Sequence, residues 1–167
     1  MPILLPNHEN FSITEYNSCL GKPYLAKFWT KISGAGTATF SIPGIQFTGI
    51  STWMLNSYIP VEVFQGFFAN FSHHSLTGAA TVAISVECYD DTKVLLGTRN
   101  CFFSGASPVG YTNVQAFITG SGATATNYIA GTYFIRVKVT VSANTGNYFL
   151  YRPYFDYMPY AQQALYV

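Results

Sequence analysis

Apolar and polar residues alternate with a period of two along much of this chain. In "ATVAISVECYD", Val82, Ile84, Val86 and Cys88 fall on one side and Thr81, Ser85, Glu87 and Tyr89 on the other. In "TYFIRVKVTV", Ile135, Val137, Val139 and Val141 form an apolar row opposite Arg136, Lys138 and Thr140. Successive side chains of an extended strand point to opposite faces, so each pattern predicts a strand with a core side and a wet side. "YLAKFWTKI" predicts another, with Lys27, Trp29 and Lys31 on one face and Ala26, Phe28 and Ile32 on the other. "GTATFSI" follows the turn signal "SGAG". "IPVEVFQGFFANFS" opens on a proline suited to a strand start. Its phenylalanines occupy both parities, Phe64 and Phe68 against Phe67 and Phe71, which predicts a strand covered on both faces. "DDTK" reads as a tight turn into "VLLGTR", and "TGSGATATN" as a long polar loop. "SANTGN" is the turn before the last long strand, "YFLYRPYFDYM", with Pro153 inside or ending it.

No segment shows a 3.6-residue period with capping residues, and the tail "YAQQALYV" reads as a short helix or one more strand. Many short strands without helices predict an all-β sandwich or barrel. The expected organisation is one domain over residues 25–160. Residues 1–24 precede it as an extended segment or an added strand, and residues 161–167 follow as a tail.

Composition narrows the picture. Charged residues are 9% of the chain, against about 25% in ordinary domains, while aromatics reach 17%. A net charge of +1 provides no field to steer nucleic acid or an anionic membrane. Sparse charge also suggests that part of the outer surface is covered, as oligomerisation would do. No apolar run approaches the ~18 residues of a membrane span, and the N-terminus lacks the basic region of a signal peptide. Cys19, Cys88 and Cys101 are odd in number with no CxxC spacing, so buried free thiols are expected; a Cys88–Cys101 bridge stays open.

Catalytic patterns are weak. Nothing in the spacing of the seven acids brings a pair together, and Asp90 and Asp91 suit a turn for backbone reasons. His73 and His74 are adjacent, so on a strand they would face opposite ways and make no natural metal pair; on a loop they could touch a ligand. "GISTW" fails the nucleophile-elbow pattern and "GAGTAT" lacks the third glycine of a phosphate cradle. No cofactor, no metal and no enzymatic activity are expected. Aromatic residues suit sugar contact, since a planar ring covers the apolar face of a pyranose while polar neighbours meet its hydroxyls. Trp29, flanked by Lys27 and Lys31, leads the candidates for carbohydrate contact; Trp53, His73, His74 and Tyr89 complete the set. For both tryptophans, core or interface packing stays open beside ligand contact. Tyr148, Tyr151, Tyr154 and Tyr157 are candidates for a subunit interface, each with a ring to bury and a hydroxyl to satisfy.

Three segments in this order, "YIPVEVFQGFFANFSHHSL", "TVAISVECYDDTKVLLGT" and "GTYFIRVKVTVSANTGNYFLYRPYFDYMP", carry a resemblance. Ile59-Pro60-Val61, Tyr89-Asp90-Asp91, Val94-Leu95 and the run from Pro153 to Asp156 are its marks. The pattern resembles the carbohydrate-binding-module-like jelly rolls, of galactose-binding type, in bacteriophage tail fibres and tailspikes. "DDTK" departs from it, because many relatives have glycine in this turn. The resemblance implies an antiparallel two-sheet β-sandwich, a jelly roll, often trimerised in a fibre. It further implies a non-catalytic receptor-recognition module of the virion's tail, made in the host cytoplasm, that binds host cell-surface glycan. The alternatives are a structural trimerisation or capping domain without a ligand, a glycan hydrolase or esterase, and a trimeric jelly roll of the complement or tumour-necrosis-factor kind.

Overall fold

The computed structural model describes residues 29–40, 44–62, 64–76, 80–144 and 146–158. Cys19, Lys27 and the two terminal segments lie outside them. The described residues form strands and no helix: β1 (Trp29–Ser33), β2 (Thr37–Phe40), β3 (Gly44–Thr48), β4 (Ser51–Leu55), β5 (Ile59–Pro60), β6 (Phe67–Ser75), β7 (Thr81–Tyr89), β8 (Leu95–Ala106), β9 (Thr112–Ile118), β10 (Phe134–Ala143) and β11 (Asn147–Tyr157). One sheet runs β1-β4-β10-β7-β8, with β5 also on β10; the other runs β2-β3-β11-β6-β9. The strand pairings are antiparallel, and the consecutive strands β10 and β11 belong to different sheets, so the two layers form a sandwich.

The predicted alternation fills the space between the layers. Ile84, Val86 and Cys88 of β7 and Ile135, Val137 and Val139 of β10 meet Phe47, Phe67, Phe71, Leu150 and Phe155 of the other sheet in one buried cluster. Extended backbone places these side chains on one face without further signal. Arg136 and Lys138 stand on the opposite face, where Lys138 Nζ lies 3.1 Å from Glu87 Oε2 across the β7–β10 ladder. Cys88 and Cys101 are buried free thiols, so the bridge left open by the sequence is not formed.

The structure departs from the pattern in three places. Residues 59–72 do not make one strand: β5 ends at Pro60, and a turn closed by Gln65 N–H donating to Glu62 O at 2.9 Å precedes β6. Phe67 and Phe71 enter the core, while Phe64 is left exposed in that turn. The stretch around Trp53, which none of the predicted strands covers, is β4, clamped between β1 and β10. In "DDTK", Asp90 Oδ1 accepts from the N–H groups of Thr92 and Val94, both at 2.9 Å, and from Thr92 Oγ1 at 2.8 Å. Lys93 then takes the left-handed conformation, φ 65°, that a glycine would adopt freely.

Candidate functional site

The outer face of the second sheet carries the most organised surface chemistry. On β6, burial alternates strictly from Phe67 to Ser75, which sends Phe68, Asn70, Ser72 and His74 outward. The register sets Phe149 beside His74, Tyr151 beside Ser72, and Tyr154 beside Asn70. On the other side of β6, Asn113 pairs with Ser72, Gln115 with Asn70, and Phe117 with Phe68. Side chains at one level of neighbouring strands lie about 5 Å apart, so these rows form a continuous surface.

Aromatic rings line up across it. His74 and Phe149 are stacked at 5.2 Å and 17°, and His74 and Tyr151 at 5.5 Å and 8°. Tyr111 adds a tilted ring 4.8 Å from Tyr151. His74 Nε2 and the Tyr151 hydroxyl are 3.2 Å apart, which fixes the two rings together. Beside this row is a cleft of about 400 Å³ lined by Asn70, Phe71, Ser72, Tyr111, Asn113, Tyr151, Arg152 and Tyr154. Rings, amides and hydroxyls with one cation make a surface that can cover apolar C–H faces and hydrogen-bond the hydroxyls around them.

A bulge in β11 builds this cleft. Tyr151 pairs with Ser72 and Tyr154 with Asn70, so Arg152 and Pro153 together oppose Phe71. In an uninterrupted strand Tyr151 and Tyr154 would face opposite ways. The extra residue brings both outward, whereas Tyr148 and Tyr157 point into the core. Arg152 supplies the bend with φ 47°, and Pro153 has no N–H to waste at the unpaired position.

Among the described residues, those expected to contact sugar do not come together. Trp29 is only 5% exposed and belongs to the core cluster, opposite Leu55 on the inner face of β1. Flanking lysines misled because β1 is short and lies at a sheet edge, where Lys31 reaches the surface and its Nζ donates to Gly36 O at 3.1 Å. Trp53 faces inward at the margin of the core, edge-on to Phe40 and Phe47, with Nε1 donating to Ser51 Oγ at 2.8 Å. Tyr89 is buried on the first sheet and donates to Glu87 Oε1 at 2.8 Å; burial, then that carboxylate, pushes its hydroxyl up to about 12.

His73 and His74 occupy opposite faces of one strand, as adjacency dictates, and neither is on a loop. His73 is fully buried among Phe71, Phe103 and Tyr148, its Nδ1 2.7 Å from the Tyr148 hydroxyl and its Nε2 unpartnered. Burial, with a smaller contribution from His74, lowers it to about 4. Among the described residues, His74 alone of the expected sugar contacts lies on the aromatic face. Of the expected interface tyrosines, Tyr148 and Tyr157 are core residues: the bulge reverses parity, and Tyr157 donates to Pro60 O at 2.5 Å. Tyr151 and Tyr154 line the cleft.

Sequence reasoning missed Asn70, Ser72, Tyr111, Asn113, Arg152 and Phe149. A usable signal lay in "TNVQAFI", where Asn113, Gln115 and Phe117 alternate with Val114, Ala116 and Ile118. Among the described residues no group of three His, Cys, Asp or Glu side chains converges as a metal site.

No protein-family model matches the chain, and no curated protein matches its sequence. Solved structures do resemble it. The CBM22-1 xylan-binding domain from Paenibacillus barcinonensis Xyn10C superposes with a TM-score of 0.54 at 12% identity, over 77% of this chain and 85% of that one. The CBM22-1-GH10 modules of Clostridium thermocellum endo-1,4-beta-D-xylanase 10B, complexed with xylohexaose, give 0.55 at 14% identity, over 79% of this chain and 26% of theirs. The enzymatically active domain of bacteriophage CBA120 tailspike protein 4 gives 0.52 at 15% identity, over 78% of this chain and 19% of that one. Identities this low speak to architecture: the chain has the jelly-roll β-sandwich that carbohydrate-binding modules of this kind adopt.

Proposed function

We propose that this chain is a non-catalytic carbohydrate-binding module that holds a glycan along the outer face of β6, β9 and β11. The row His74, Phe149, Tyr151 and Tyr111 beside the amide-lined cleft carries the reading. Rings of this row cover sugar C–H faces, and Asn70, Ser72, Asn113 and the Tyr154 hydroxyl meet the hydroxyls. The xylan-binding name of one structural neighbour and the xylohexaose complexed with another support the same class of ligand. Resemblance to tail-fibre and tailspike jelly rolls, with the tailspike likeness beside it, supports a place in a phage tail, where the ligand is a host cell-surface glycan.

A glycan array probed with the wild-type chain, with Tyr151→Ala and with His74→Ala tests the reading. Binding should fall about tenfold or more in each variant, as for a central aromatic contact. A blank wild-type array, or variants that bind as well as wild type, would refute it.

A second reading, self-association in a fibre, is favoured by a separate surface. Val94, Leu95, Leu96 and Tyr133 are exposed at one end of the first sheet, where β8 is an edge strand. A homotrimer in sedimentation that Leu95→Lys disrupts would support it; a monomer at all concentrations would not.

A further inference from the structure

We propose that the cleft selects a sugar carrying an oxyanion substituent, carboxylate or sulfate, and that Arg152 is the residue that reads it; this rests on the glycan-binding reading above. Lys31, Lys93, Arg99, Arg136 and Lys138 are each engaged elsewhere. Lys31 and Arg99 donate to backbone carbonyls, and Lys138 pairs with Glu87. Lys93 sits over the Tyr58 and Phe134 rings, and Arg136 over Tyr58. Arg152 alone among the described cations has no hydrogen-bond, ion-pair or ring partner for its side chain, and it lines the cleft.

Its backbone makes the residue choice informative. Arg152 holds φ 47° immediately before a proline, a position doubly disfavoured for an L side chain. Glycine would suit the bulge better, so the conformation is retained at a local cost at a place where it puts a cationic residue in the lining of the cleft. The remaining lining residues are neutral amides, hydroxyls and rings. Asp156, a carboxylate on the same face, lies two residues past Tyr154 and outside the lining set. Its oxygens accept from Tyr157 N–H at 2.7 Å and the Tyr154 hydroxyl at 3.3 Å. The planar fork of Arg152 matches a carboxylate bidentately and satisfies sulfate oxygens equally, whereas a neutral sugar leaves most of its five donors to water.

The test uses the full chain and a panel of matched oligosaccharides: uronate oligomers beside their carboxyl-reduced forms, and sulfated oligomers beside their desulfated forms. Wild type should prefer the anionic member of at least one pair type by about 5- to 10-fold, the range for an exposed charge-assisted contact. That preference should shrink as salt rises from low to about 0.5 M. Arg152→Gly, which suits the backbone, should bring the ratio to about one. Arg152→Lys should keep only part of it, having charge without the fork. Preference in the carboxylate pairs or in the sulfate pairs identifies the anion. A wild-type ratio of one, or a ratio that survives Arg152→Gly, overturns the inference and leaves glycan binding standing. Failure of every member to bind overturns the glycan reading, and this inference with it.

Discussion

His73 shows how a residue suited to a binding site becomes a structural one. Its ring is fully buried and held at about 4, against 6.5 in the unfolded chain. Between those values the unfolded chain binds a proton that the folded chain refuses. The contribution to stability is therefore complete above pH 6.5 and is lost as pH falls toward 4, by as much as about 3 kcal/mol. Urea unfolding as a function of pH should show that slope, and His73→Phe should abolish it. The same substitution strands the Tyr148 hydroxyl, costing about 1–3 kcal/mol at neutral pH. A slope unchanged in His73→Phe would assign the acid sensitivity to other groups. Arg152 is the complementary case, a residue whose backbone is strained and whose side chain is free.

Among the elements, the β7–β8 hairpin offers a direct measurement. Lys93 adopts φ 65° without being glycine, and its ammonium lies 5.0 Å from the Tyr58 ring centre and 5.5 Å from that of Phe134. Lys93→Ala loses both contacts and keeps the backbone cost; Lys93→Gly loses them and relieves it. The glycine variant should be the more stable of the two by roughly 1 kcal/mol, or 2–4 °C in Tm. Equal melting temperatures would mean the turn relaxes without strain. β7 and β10 were legible in the sequence because each has one dry row, and Val82 to Cys88 and Ile135 to Val141 mark it without interruption. β4 was not, since Ser51 and Thr52 break up its apolar row, whereas β9 carried a legible alternation of Asn113, Gln115 and Phe117 with Val114, Ala116 and Ile118 that went unused. The site was the least legible. Tyr148 and Tyr154 share parity in the sequence and face opposite ways in the fold. What separates them is a left-handed Arg152 before Pro153, a conformation that no local preference assigns to that pair.

At the scale of the whole molecule, a single core joins both sheets, and Cys88 and Cys101 lie within it. Burial pushes the Cys101 thiol far up, so it offers almost no thiolate at neutral pH. In the native protein both cysteines should resist a thiol reagent, and their labelling, read by mass spectrometry of the peptides, should rise together with global unfolding. Fast labelling of either one in native buffer would reveal a separately opening β7–β8 unit.

The division of labour along β6, β9 and β11 also bears on how such a protein changes its target. Every second residue there, Asn70, Ser72, His74, Asn113 and Gln115, touches the outer surface while its neighbour anchors the interior. A combinatorial library randomising only those codons should yield folded variants of altered preference, with thermodynamic stability largely decoupled from specificity.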